Sequence, residues 1–254
     1  MKKFTILLRH QIWLMAISSS TYFAAFLFLG FMAAVFLLAI HDVSIVACKQ
    51  SPVEKFLGLF WLPVLFMVPL LTMRSLSEEL RRGTLGSLMA TSVSAWQIVA
   101  AKFLASYIFY VLLWTLTLAF PAIACAYLPH ASASDMFEVS QLCAGYGFIF
   151  LTGAMYVAVG IFASSLTRTT LVAGMLSFGM LFFLIVGASI AANLPLSEGP
   201  LGSAVGRVSD YLHTFRQLDN FNNALVDSRA FFFYLSSAAV LLAMTSLITE
   251  SKNR

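Results

Sequence analysis

The chain has 254 residues, 60% of them apolar and only 10% charged, with a formal net charge of +4. A soluble globular domain runs nearer ~45–50% apolar and ~25% charged, so this chain cannot cover its surface with polar groups, and its composition implies the bilayer as solvent. Its basic residues sit beside apolar runs rather than in a stripe, which argues against nucleic acid as a partner.

In chain order, residues 1–20, MKKFTILLRHQIWLMAISSS, mix Lys2, Lys3, Arg9 and His10 with Phe4, Leu7, Leu8, Ile12 and Trp13. That mixture predicts an interfacial helix on the inner leaflet with Trp13 at headgroup depth. A spanning helix needs ~20 mostly apolar residues. Six runs are expected to span: Tyr22–Ile40, Phe56–Met73, Phe103–Tyr127, Val139–Ser165, Thr170–Asn193 and Phe231–Thr249. The first run is long and has no small-residue cleavage site, so it reads as a retained span rather than a signal peptide. Pro63 and Pro69 should kink or tilt the short second span, and Pro121 falls near the end of the third. Spans four and five are rich in glycine, including Gly153, Gly160, Gly174 and Gly179. Either these glycines bring helix backbones close together, or they are scattered through tolerant helices.

Six spans put both termini on one side. With the N-terminus in the cytoplasm, the inner segments hold ten Lys and Arg residues and the outer segments five. The positive-inside rule therefore favours cytoplasmic termini. No ionisable residue falls within the six runs, although ion-coupled carriers and proton relays need them there. There is no GxxxxGK[ST] phosphate loop and no HExxH. Cys48, Cys125 and Cys143 have no metal-binding spacing. They read as buried free thiols, with a disulfide between Cys125 and Cys143 as the alternative. The eleven methionines read as membrane packing rather than a metal path.

Between the second and third runs lies SLSEELRRGTLGSLMATSVSAWQIVAAKF. Ser75-Leu76-Ser77-Glu78 fits a capping box. Leu76 and Leu80 then share one face, with Glu78, Glu79, Arg81 and Arg82 around the rest. Gly83 is placed to end the helix in a left-handed cap. Thr84 can cap a second helix bearing Leu85, Leu88 and Met89, and Ser92 and Ser94 lead into a third that enters the membrane after Lys102. One reading is a solvated interfacial loop. A second is catalytic, but Glu78-Glu79-x-x-Arg82 is one residue short of the EExxxR of membrane prenyl-endopeptidases, and the later histidine-bearing helices are missing. The third is a docking element, in which both signs of charge on a capped helix give register to a soluble partner.

Ser77, Glu78, Glu79, Arg81, Gly83, Thr84, Leu85, Leu88, Val99, Lys102 and Phe103 resemble the signature of type-2 ABC export permeases, especially the gliding-motility-type branch. Ser92 and Gly86 depart from that pattern, where proline and glutamate are usual. The N-terminal 24-residue stretch from Leu7 and the last segment, including Val226, Asp227, Ser228 and Arg229, are also similar to that family. The resemblance implies an all-α permease domain over residues 1–254, with six spans, an interfacial helix at 1–20, a coupling element at 74–95 and an outer re-entrant segment at 195–229. It also implies a homo- or heterodimer of permeases bound to two ATPase subunits in a bacterial inner membrane. ATP and magnesium would then sit on the partner, with no catalytic residue, metal or cofactor on this chain. The expected ATPase contact is Ser77, Glu78, Glu79, Arg81, Arg82, Gly83, Thr84 and Leu85.

Val205, Val208, Leu212 and Phe215 repeat at helical spacing within the long outer segment. The resemblance implies a helix that re-enters the outer leaflet and, with Asp227 and Arg229, gates the exit; the alternative is a helix that only rests on the outer interface. The alternative functions are a membrane anchor for a motility- or secretion-type assembly, and an ATP-independent carrier.

Overall fold

The computed structural model describes residues 2–45, 52–84, 86, 94–127, 139–187 and 228–252. Every regular element among them is helical. The helices are α1 (Lys2–Ile17), α2 (Ser19–Ile45), α3 (Pro52–Gly58), α4 (Trp61–Thr72), α5 (Ser77–Arg82), α6 (Ala95–Thr117), α7 (Ala119–Tyr127), α8 (Val139–Leu166), α9 (Thr170–Phe182, continued by a π-helical turn, Phe183–Gly187) and α10 (Ser228–Ser251). Among the described residues five segments are long and apolar enough to cross a membrane: Ser19–His41, Ala95–Ala124, Ser140–Leu166, Thr170–Gly187 and Phe231–Ser251.

The expected second span differs. It is broken into α3 and the 12-residue α4, which at 1.5 Å per residue reaches only about 18 Å. Proline explains the break. Pro63 has no amide proton, and its ring collides with the carbonyl four residues back. That carbonyl belongs to Leu59, which lies in the turn between the two helices. Tight bonds from Phe60 N to Leu57 O (3.1 Å) and from Leu62 N to Leu59 O (3.4 Å) replace the regular ladder. The third span repeats the pattern. Pro121 acts on Thr117, where α6 ends, and Leu118 N turns back to Thr115 O (3.2 Å). Broken helices survive at membrane depth where protein surrounds them, and eight residues of α4 are buried.

Packing is organised around α8. Its apolar stretch is 78% buried, against 22–33% for the other four spans. It packs on α10, α9, α6 and α4. Two glycines make this possible. A Cβ on Gly153 would overlap the ring of Tyr110 on α6, and one on Gly160 would overlap Thr72 at the end of α4. Of the two readings of the glycines, close backbone approach holds at these positions. Nothing lies within 4 Å of a Cβ on Gly147 or Gly179.

The core is aromatic. Trp114 meets Phe28 edge-on at 5.0 Å and Tyr146 at 6.0 Å, the offset geometry that ring quadrupoles favour. α3 and α4 run back along α2: Phe36 packs on Phe56 (5.4 Å), and Ser20 Oγ, at the other end of α2, donates to Leu70 O (3.1 Å). α1 turns Phe4, Leu7, Leu8 and Met15 inward and leaves Ile6, Trp13 and Ile17 exposed. An apolar outer face of that kind suits the expected interfacial helix. Cys143 is a free thiol and is exposed rather than buried.

Candidate functional site

The site of interest is α5 and the helix ends that hold it. The expected start does not form. Leu76 is the N-cap residue, in helical conformation, with no side-chain cap bond. The amide protons left free there go to another helix. Ser164 Oγ, near the end of α8, accepts from both Leu76 N and Ser77 N at 3.0 Å. The same hydroxyl donates to Met73 O (3.2 Å), and Ser77 Oγ also donates to Met73 O. A helix N-terminus needs such partners, and here a span 87 residues away supplies them. The signal for this in the sequence is faint, a single serine at the end of a glycine-bearing span.

The other end of α5 is as expected. Gly83 closes it in the left-handed region (φ 69°), with its amide donating to Glu79 O. Glycine takes this conformation without the Cβ cost. Acidic residues occupy the first turn and basic residues the last, the order that complements the helix dipole.

The expected outward set divides. Ser77, expected at the contact, is buried, beside Leu76 and Leu80, which form the expected apolar face, Leu76 buried and Leu80 packed against the core. Glu79 lies three residues after Leu76 and beside Leu80, so helical periodicity turns it to the same side. It meets Lys102, whose Nζ donates to Glu79 Oε1 and to Ser75 O, both at 2.6 Å. The Lys102 side chain is only 4% exposed and that of Glu79 18%. Glu78 instead pairs with Arg82 at 2.5 Å, where the side chains are 29% and 64% exposed. Arg81, Gly83 and Thr84 are also exposed. Leu85, Leu88, Met89 and Ser92 lie outside the described residues.

Lys102 also corrects the expectation that the spans hold no ionisable residue. α6 begins at Ala95, two turns before the apolar run, so Lys102 sits inside the helix. Ser94 is its N-cap, with the Ser94 amide donating to Gln97 Oε1 (3.3 Å). Nearby, Lys252 Nζ reaches Ser165 O (2.7 Å) and Leu166 O (3.0 Å), capping the end of α8. Desolvation and the neighbouring Arg168 hold its ammonium below the ordinary lysine range. Cations at a helix C-terminus stabilise its free carbonyls. The ends of α4, α6, α8 and α10 are thus fastened around α5 at one end of the bundle.

Among the described residues no group of three or more His, Cys, Asp or Glu could hold a metal ion. The expected outer-gate residues Val205, Val208, Leu212, Phe215 and Asp227 lie outside the described residues. Arg229 falls in the first turn of α10.

The chain matches the family model of ABC-2 family transporter proteins over residues 44–212, a span that contains α5. That is more than half of its length, and the chain belongs to this family. It is a multi-pass membrane protein, and such permeases usually work with an ATPase subunit. No curated protein matches it.

Proposed function

We propose that this chain is the permease subunit of an ABC exporter, and that α5 is the helix through which a separate ATPase moves it. One observation carries the reading. A six-residue helix with opposite charges on its exposed side is fastened to the ends of α6 and α8 by Lys102 and Ser164. A push on α5 is then delivered to two spans, one of them the central helix. Half-buried Glu78 and exposed Arg81, Arg82, Gly83 and Thr84 form the contact surface, extended by Leu85, while Ser77 and Glu79 hold α5 to its own subunit. Paired charges of this kind give orientation to a docked partner.

The rest follows as part of the same reading. The membrane domain has six passes, with α3 and α4 together forming the second. Both termini and α5 face the cytoplasm of a bacterial inner membrane, as the lysine and arginine bias favours. Two permeases, identical or different, pair above two ATPase subunits that hold ATP and magnesium, and the 195–229 segment gates the outer exit. The gliding-motility-type branch remains the resemblance most specific to the α5 sequence.

The test is co-purification with the ATPase encoded by the native host. Arg81→Glu with Arg82→Glu is expected to abolish capture while leaving the permease's elution profile and melting temperature intact. Full capture by that variant would refute α5 as the docking helix. A wild-type permease that captures no ATPase would favour an anchor or an ATP-independent carrier.

A further inference from the structure

A cavity of about 370 Å³ opens beside α5, between α1, the start of α2, the end of α4 and α6. One wall is apolar, with Leu14, Met15, Leu70 and Leu71. The other is charged. Arg74, Arg82, Lys102, Glu78 and Glu79 line it together, three cations with two carboxylates, which leaves one positive charge. The surplus can be assigned. Glu78 is matched by Arg82 and Glu79 by Lys102. Arg74 is exposed and makes no hydrogen bond or ion pair among the described residues.

The cavity reaches Ser106, eleven residues into α6 from Ala95, or about 16 Å of helix. It therefore runs from the charged end of the bundle into the level of the apolar spans. Gln11, Leu14 and Met15 of α1 line it, and the exposed Trp13 and Ile17 of the same helix suit an interfacial position. Basic pockets between spans at such a level recognise anionic headgroups.

From this we infer that the cavity binds an anionic phospholipid of the adjoining leaflet, its phosphate on Arg74 and the start of its acyl chain against Leu14 and Leu70. The shared chemistry is a phosphate. The apolar wall is the reason for choosing lipid over a free phosphate ion. Glu78 and Arg82 line the same cavity, so occupancy would bear on the exposed side of α5. The lipid site itself does not depend on the ATPase reading.

The test uses the full chain, purified in detergent and exchanged against an equimolar mixture of phosphatidylglycerol and phosphatidylcholine, with bound lipid counted by native mass spectrometry. One phosphatidylglycerol should be retained with roughly fivefold preference, the effect of one basic residue near an anionic lipid surface. Arg74→Gln should abolish the preference and Arg74→Lys should keep it. Arg168→Gln, an exposed cation outside the cavity, should leave it unchanged. Equal retention of the two lipids would overturn the site. An equal loss in Arg168→Gln would also do so, since only diffuse surface charge would then be at work. Displacement of phosphatidylglycerol by excess inorganic phosphate would assign the cavity to a free anion and sink the lipid inference.

Discussion

Glu78 and Glu79 are neighbours in sequence and opposites in structure. Glu79 turns inward to a lysine that is almost wholly buried, and Glu78 turns outward to an arginine that is mostly in solvent. The difference teaches that a charged helix at the end of a membrane bundle has two jobs on two faces. One face holds the element to its own subunit in a poorly solvated place, where an unmatched charge is expensive. The other is free to meet a partner, and its ion pair adds little to stability.

The contrast can be broken first at Lys102. Lys102→Met strands Glu79 and Ser75 O, and removing one member of a buried pair costs about 3 kcal/mol or more. Thermal unfolding in detergent should show a larger fall than for Gly160→Ala, Ser164→Ala or Glu78→Ala. Adding Glu79→Gln should recover part of it, and a double variant as unstable as the sum of the singles would deny the pairing.

Gly160→Ala comes next. Its Cβ would meet Thr72, whose hydroxyl is itself bonded to Val68 O at 2.8 Å. Overpacking there should cost roughly 2 kcal/mol. Gly147→Ala, on the same helix with open space around it, is the matched control and should melt like the parent chain.

Ser164→Ala removes the acceptor for two buried amides, a loss of about 1–2 kcal/mol. Hydrogen exchange at Leu76 and Ser77 is the direct readout. Those amides should lose protection, and unchanged protection would mean that α5 is held by other contacts.

The smallest effect on stability belongs to Glu78→Ala. An exposed i,i+4 pair is worth less than ~0.5 kcal/mol, so the melting temperature should barely move. Under the docking proposal the same variant should still weaken ATPase capture, which separates the outer face from the inner one. Reversing both glutamates would confuse the two, because Glu79→Lys places a second cation against Lys102.

Much of this was legible from residues alone. The apolar runs foretold every membrane-length helix, and Gly83 after a charged run foretold the left-handed cap. Pro63 and Pro121 foretold distortion, but not that it would be a break four residues upstream, while Pro69 sits inside α4 without ending it. The inward turn of Glu79 was within reach of periodicity, since it lies three residues after Leu76 and next to Leu80. What hid it is that four charges within five residues at a membrane edge all look set to seek water. Ser164 was beyond reach, because a serine at the end of a span has the same appearance whether it faces lipid, its own helix or another chain segment.

The sequence by itself determined that this is a helical membrane protein, where its long helices lie, and that a short charged helix interrupts them. Those outcomes follow from local rules: apolar length sets a span, proline breaks a ladder, and glycine takes a positive φ. Only the tertiary structure decided which span is central and which charges are buried. Neither α2 nor α8 has a one-sided apolar pattern, because lipid and protein are equally apolar neighbours for a membrane helix. What distinguishes α8 is who comes close: Tyr110 against Gly153, Thr72 against Gly160, and the amides of α5 on Ser164. Each is a contact between segments far apart in the chain, and its energy exists only once both are in place.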